Sequence, residues 1–207
     1  MSQLAKAYAL KEVSDTRTLY DEWAATYDTE MADQAQDYVG PTLAAVYTLK
    51  CLGPERMEKA RILDAGCGTG LVGVQLAKVG AKHIDGIDLS PGMLDIARKA
   101  GVYEELEPTD LTAPLVYKNG TYDAVVCIGT FTQGHVGPDA FSELVRVTNK
   151  GGFIVATVLA TIWENGGYEA KVAGLAEEGK VKLVSAELED YRRGAGVQAR
   201  MIVLQVL

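Results

Sequence analysis

An α/β fold built on a mostly parallel sheet is what this sequence predicts, and three observations predict it. From residue 61 onward, short apolar runs alternate with helical patterns. The first run, RILDA at 61–65, opens directly into a turn with glycines at 66, 68 and 70. The last two strand-like stretches, VKLVSAELEDYRR and VQARMIVLQVL, are joined by a turn around Gly194-Ala195-Gly196. So tight a turn demands antiparallel pairing, whereas alternating strands and helices demand parallel neighbours joined by crossovers. The sheet is therefore expected to be parallel, with helices on both faces and one reversed strand near its end.

Residues 1–58 read as helical. Tyr20, Trp23, Ala24, Tyr27 and Met31 fall on one stripe, and a second helix starts near Pro41 and stops at Gly53-Pro54. This region is too small to fold alone, so 1–207 is expected as a single domain, with 1–58 a helical cap on an α/β core at 59–207. Strand-like stretches follow at 61–65, 82–88, about 104–110, 122–128 and 151–158. Leu71, Val72, Val74, Leu76 and Val79 mark a helix that ends at Gly80. Ser90 and Pro91 are an N-cap and first helical residue, with Met93, Ile96, Ala97 and Ala100 inward and Gly101 as the stop. Pro138 opens another helix, whose Phe141, Leu144, Val145 and Thr148 share a face.

The 207 residues are 48% apolar, enough for a sizeable core, and carry a net charge of −8. Such a chain repels phosphate backbones and anionic lipid, so neither nucleic acid nor membrane surfaces are expected partners. Cys51, Cys67 and Cys127 are odd in number, far apart and without metal-ligand spacing, which suits a reduced, cytoplasmic protein with no metal. No secretory signal or membrane-spanning run is visible.

The glycine turn has three readings. A phosphate-cradling loop needs a Lys and a hydroxyl after its last glycine, and Gly70 is followed by neither. A dinucleotide fingerprint needs GxGxxG, but counting from Gly66 the third glycine falls at 70 and Leu71 occupies its place. The third reading is a turn holding an unphosphorylated nucleoside. Asp64 favours it, because a carboxylate facing the ligand repels pyrophosphate and suits a cation. Asp88, twenty positions after Gly68 at the end of the second strand, can accept from both hydroxyls of a ribose; the alternative is a solvated turn aspartate.

The stretches LDAGCGTG, GIDLSPGML and YDAVVCIGTFTQGHVGPDAFSELVRVTNKGGFIV resemble motifs of class I S-adenosylmethionine-dependent methyltransferases. Within that class the chain is most similar to the small methyltransferase-like proteins related to the Williams–Beuren syndrome chromosome-region product, and YDEWAATYD near the N-terminus is a further feature of theirs. The resemblance covers roughly residues 19–160. It implies a Rossmann-like seven-stranded sheet in the order 3-2-1-4-5-7-6 with strand 7 antiparallel, and S-adenosylmethionine as cofactor. It also implies that Asp64, Gly66, Cys67 and Gly68 lie along the methionine and ribose, and that Asp88 binds the ribose hydroxyls. Leu89 and Met93 would contact adenine, Asp110 would accept from its amino group, and Ile128 and Gly129 would border the sulfonium.

Each role has a plainer alternative. Met93 at helical spacing also suits the core, and Asp110 could cap the turn before Leu111. Pro108, inside the third strand, is tolerable on a sheet edge.

Methyl transfer is an in-line displacement with a good leaving group, so the protein chiefly aligns the nucleophile and excludes water. His135, after the fourth strand, is the candidate base for an acceptor that arrives protonated; the alternative is a loop-bonding role. Trp23, Thr130, Thr132, Gln133 and Trp163 are candidate acceptor-site residues beside it. Tyr20 and Tyr27 would reach the cofactor from the cap, or simply pack beneath it. The expected activity is methyl transfer to O, N or S of a small-molecule acceptor. The alternatives are a protein methyltransferase and a non-catalytic protein that binds S-adenosylmethionine or S-adenosylhomocysteine.

Overall fold

The computed structural model describes residues 3–7, 10, 13–133 and 136–207. Its helices are α1 (Gln3–Ala7), α2 (Val13–Ala32), α3 (Gly40–Leu52), α4 (Pro54–Met57), α5 (Leu71–Lys78), α6 (Pro91–Lys99), α7 (Ala140–Val147) and α8 (Tyr168–Glu177). Its strands are β1 (Arg61–Ala65), β2 (His83–Asp88), β3 (Glu105–Pro108), β4 (Tyr122–Phe131), β5 (Thr148–Leu159), β6 (Val181–Arg192) and β7 (Val197–Val206). They form one sheet in the order β3-β2-β1-β4-β5-β7-β6, the order the resemblance implies. β7 runs antiparallel to both β5 and β6, and the remaining neighbours are parallel.

The central strands are apolar at consecutive positions because both faces of the sheet are covered. Ile62, Ala124, Val126, Val155 and Val203 face α3 and α5, while Leu63, Val125, Cys127, Ile154 and Ile202 face α7 and α8. Ser90 caps α6 as its sequence predicts, its hydroxyl accepting from the Met93 N–H at 3.0 Å, and Gly101 follows with φ +64°. Pro108 is the last residue of β3, an edge strand, where its missing N–H costs no ladder bond.

Several boundaries differ from the sequence reading: α7 begins at Ala140 rather than at Pro138, and β3 ends at Pro108 rather than near 110. Thr148 does not continue the face of α7. It begins β5, and its hydroxyl turns back to the Leu144 carbonyl at 2.7 Å. The fourth strand does not stop at 128 but reaches Phe131, because an irregularity between Cys127 and Phe131, with Gly129 at φ +80°, lets pairing resume. Ile128, Gly129 and Thr130 are thus strand residues at a bulge.

Candidate functional site

An open cleft with about 860 Å³ of space, mouth included, lies at the carboxyl ends of β1, β2 and β4. In a parallel sheet this is where neighbouring loops separate and a ligand can enter. The floor is built by Gly66 and Gly68 after β1, Asp88 and Leu89 after β2, and Ile128, Gly129 and Thr130 on the β4 bulge. Thr109, Asp110, Leu111 and Thr112, following β3, form one wall, and Thr16, Tyr20 and Tyr27 of α2 form the roof.

Each glycine of the turn answers a different constraint. Gly66 has φ +77°, and a β-carbon there would sit 2.2 Å from the Thr130 hydroxyl, so β1 and β4 close together only over a glycine. Gly68 has φ +53° with open space where a β-carbon would be, and its N–H donates to Asp88 Oδ2 at 2.8 Å. Gly70 has φ +93° and faces Tyr103 and Ala97. The turn therefore borders the cleft at 66 and 68, with open space at 68, and packs closely against the protein at 66 and 70.

Asp88 is held at both oxygens, since the Ser90 N–H donates to Oδ1 at 2.9 Å. Burial raises its carboxyl above the ordinary range, against the pull of the Ser90 and Gly68 N–H groups, and Asp21 raises it further. No Lys or Arg lines the cleft among the described residues.

Asp64 is not where the sequence reading put it. Its side chain does not face the cleft but is wholly buried beneath the glycine turn, with Oδ2 accepting from the Tyr103 hydroxyl at 2.7 Å and Oδ1 without a hydrogen-bond partner. Burial pushes its carboxyl up to about 7; the Tyr103 hydroxyl opposes this, nearby Asp88 adds to it, and the Gly73 N–H opposes it. Cys67 is buried too, and burial raises its thiol well above the usual range, so it remains a protonated packing group.

Leu89, Met93 and Asp110 all reach the cleft. Asp110 also takes the plainer role foreseen for it, Oδ1 accepting from the Thr112 N–H at 2.8 Å and the Thr112 hydroxyl at 2.7 Å. Of the acceptor-site candidates, Thr130 lines the cleft, and Thr132 and Gln133 follow it without lining it. Trp163 is not a cleft wall: the short helical turn Ala160–Ile162 after β5 carries it into the core, in the same apolar cluster as Phe131 and Tyr168. Trp23 is likewise core, stacked near Tyr20 (5.8 Å) and edge-on to Tyr27 (4.8 Å). The two tyrosines on either side of it are the ones that reach the cleft. His135 lies outside the described residues.

Sequence reasoning missed two residues in the very stretch it quoted. Thr69 donates its hydroxyl to Asp28, and Asp21 accepts from the Ser90 hydroxyl at 2.6 Å and the Gly92 N–H at 2.9 Å. Asp21 and Asp28 stand seven residues apart, two helical turns, so both reach down from one face of α2. That spacing was the available signal. Asp21 also places a carboxylate at the N-terminus of α6, where the helix dipole favours it.

Residues 62–152 match the family described as "Methyltransferase domain". Human methyltransferase-like protein 27 is 36% identical over 157 residues, covering 75% of this chain and 62% of that protein. An uncharacterized methyltransferase of Emericella nidulans is 30% identical over 177 residues, covering 70% of this chain and 61% of the relative. The chain thus spans about three fifths of the length of these relatives. Among solved structures, magnesium protoporphyrin IX methyltransferase from Synechocystis PCC 6803, with bound S-adenosylmethionine, has a TM-score of 0.67 at 18% identity, covering 93% of this chain and 95% of that one. The [4+2]-cyclase SpnF has a TM-score of 0.69 at 17% identity, covering 95% and 97%, so the fold alone does not specify the reaction. The domain match, the relatives and the strand order agree: residues 62–152 match a methyltransferase domain, in a chain similar to the class I S-adenosylmethionine-dependent methyltransferases.

Proposed function

We propose that the chain transfers the methyl group of S-adenosylmethionine to O, N or S of a small, neutral or cationic acceptor. The observation that carries this reading is the cleft floor, where the Asp88 carboxylate stands beside Gly66 and Gly68 and no Lys or Arg lines the space among the described residues. Such a floor suits a ribose without phosphate, and a positive rather than a negative ligand.

The residues fit the cofactor as follows. Asp88 would accept from the ribose hydroxyls, and the backbone of Gly66, Cys67 and Gly68 would follow the ribose and methionine. Leu89 and Met93 would pack on adenine, Asp110 would accept from its amino group, and Ile128 and Gly129 would border the sulfur. When bound, S-adenosylmethionine supplies a methyl group on a positively charged sulfur that departs as a neutral thioether. The chain's own work is alignment and exclusion of water, to which Tyr20 and Tyr27 of α2 would contribute by covering the cleft from above. For an acceptor that must lose a proton, His135 is the proposed base; otherwise none is needed.

Calorimetry with S-adenosylhomocysteine, NAD and NADP tests the cofactor. Binding of the first alone is expected, and stabilisation by NAD alone would overturn the assignment. Metabolite extracts incubated with methyl-labelled cofactor then test the activity. A labelled small molecule supports it, and label on protein only would replace it with a protein methyltransferase. Tight cofactor binding with no labelled product in either fraction would leave a binding protein.

A further inference from the structure

The two edges of the sheet are built differently. β3 is four residues long and carries Glu105, Glu107 and Pro108, which discourage another strand from adding to the ladder. β6, at the other edge, is twelve residues long and contains neither Gly nor Pro. Leu183 (42%), Val184 (51%) and Leu188 (45%) stand exposed on it. Residues 37–39 bond to its last two residues and to Arg193 beyond them, and 181–190 have no neighbouring strand on the outer side among the described residues.

Residues directly opposite each other in an antiparallel pair share a face. Lys182, Glu187 and Glu189 stand opposite Gln205, Met201 and Ala199 of β7, on the face that α3 covers. Leu183 and Leu188 stand opposite Leu204 and Arg200, on the face of α7 and α8. In a regular strand Lys182 and Glu189 would point to opposite faces, and so would Leu183 and Leu188. The register shift between Leu183 and Ser185 brings each pair onto one face.

Glu187 and Glu189 are also short of positive charge. The Tyr47 hydroxyl lies 2.7 Å from Glu187 Oε2 and within bonding distance of Glu189 too, yet it has one proton to donate. Neither carboxylate takes part in a salt bridge among the described residues. Lys50 lies over the Tyr47 ring, 5.1 Å from its centroid, rather than on either acid.

We infer that β6 is a self-complementary docking edge for a second copy of this chain. Two β6 strands running antiparallel, about a two-fold axis between Ser185 and Ala186, satisfy both pairs in a single register. Lys182 of each copy then stands opposite Glu189 of the other and diagonal to Glu187, and Leu183 stands opposite Leu188. The lysine supplies the charge that the two carboxylates lack. Glu187 and Asp190 meet Val184 and Val181, so no carboxylate faces another. A parallel pairing in register would instead set each charge beside its own kind. The two sheets join into one, and because no described residue of β6 lines the cleft, both clefts stay open.

Sedimentation velocity over about 1 to 100 μM protein tests the interface, and the wild type is expected to sediment as a dimer at the upper end. Lys182→Glu should weaken association by about tenfold or more, because the symmetry turns two attractions into two repulsions at once. Adding Glu189→Lys to it pairs the charges again and should recover most of the loss. Leu188→Lys, an exposed substitution, should weaken association to a similar degree. The register is read by mixing Leu183→Cys chains with Leu188→Cys chains and adding a short bismaleimide, with the wild type as control. The mixture should yield a covalent dimer and neither variant alone should do so. A wild type that stays monomeric throughout, or a dimer that Lys182→Glu and Leu188→Lys leave intact, would overturn the inference. So would a cysteine variant that crosslinks to itself as readily as to the other, and this readout stands even where a charge variant fails to fold.

Discussion

Asp28 accepts a hydrogen bond from the Thr69 hydroxyl across forty-one residues of sequence, fastening α2 to the glycine turn. Asp21 makes the matching attachment two helical turns earlier, at the start of α6. Tyr20 and Tyr27 precede these two aspartates directly, so the roof of the cleft is registered on its floor by side chains one position away.

Cutting either attachment should loosen the roof. Asp28→Ala leaves the buried Thr69 hydroxyl without its acceptor and is expected to cost about 1 kcal/mol in urea unfolding. Asp21→Ala should cost a similar amount. The pair together should also weaken S-adenosylhomocysteine binding, because both tyrosines then lose their register. Unchanged affinity in the double variant would show that the roof does not contribute to the site.

Asp88→Asn keeps the shape of the site and removes its charge. The Gly68 and Ser90 N–H groups still find an oxygen on one side, but the amide can no longer accept at both positions. Affinity for S-adenosylhomocysteine should fall by about tenfold to a hundredfold, the loss of one to two charge-assisted hydrogen bonds, with little change in melting temperature. Calorimetry reads the first and a thermal scan the second.

Gly66 and Gly68 should respond differently to the same substitution. Gly66→Ala meets both an unfavourable φ and the Thr130 hydroxyl, so its cost in chemical unfolding should exceed 2 kcal/mol, roughly the left-handed penalty plus a steric clash. Gly68→Ala meets only the φ, at a cost of about 1 kcal/mol, but puts a methyl group where the ligand would pass. A folded Gly68→Ala protein with undiminished cofactor affinity would remove that residue from the site.

The empty protein should lose stability as pH rises from acid to neutral. Asp64 ionises near 3.8 when unfolded and at about 7 when folded, so between these values the native state keeps a proton that the unfolded chain has released. Stability contributed by the neutral carboxyl is full below 3.8 and is lost as pH climbs through the folded value, with a slope of at most about 1.4 kcal/mol per pH unit. Asp88, raised in the same sense, adds to it. Urea midpoints of the wild type and Asp64→Asn between pH 5 and 8 check this, and the variant should show the flatter profile.

The sheet was readable from the sequence because it depends on short-range signals. Ser90-Pro91, Gly101 and the tight turn at 194–196 each act within a few residues, and the buried strands announce themselves by continuous apolar runs. The cleft floor was readable for a related reason, since Gly66, Gly68 and Asp88 stand at the ends of those strands. Long-range partnerships were not. Asp64 was expected to face the ligand because nothing in its neighbourhood marks Tyr103, thirty-nine residues on, as its partner. Asp21 and Asp28 look like an exposed helix face until Ser90 and Thr69 are brought beneath them. Trp163 looks like a pocket aromatic until the turn after β5 carries it inward.

The position of β7 has a consequence for how the molecule is made. It lies between β5 and β6 yet follows both in the sequence, so a ribosome delivers both flanking strands before the piece that joins them. Until it arrives, β5 has an open ladder beside some of the most apolar sequence in the chain, and β6 has nothing to pair with on that side. An unpaired strand edge is a template for pairing with another chain, so the interval before β7 emerges leaves two such edges open.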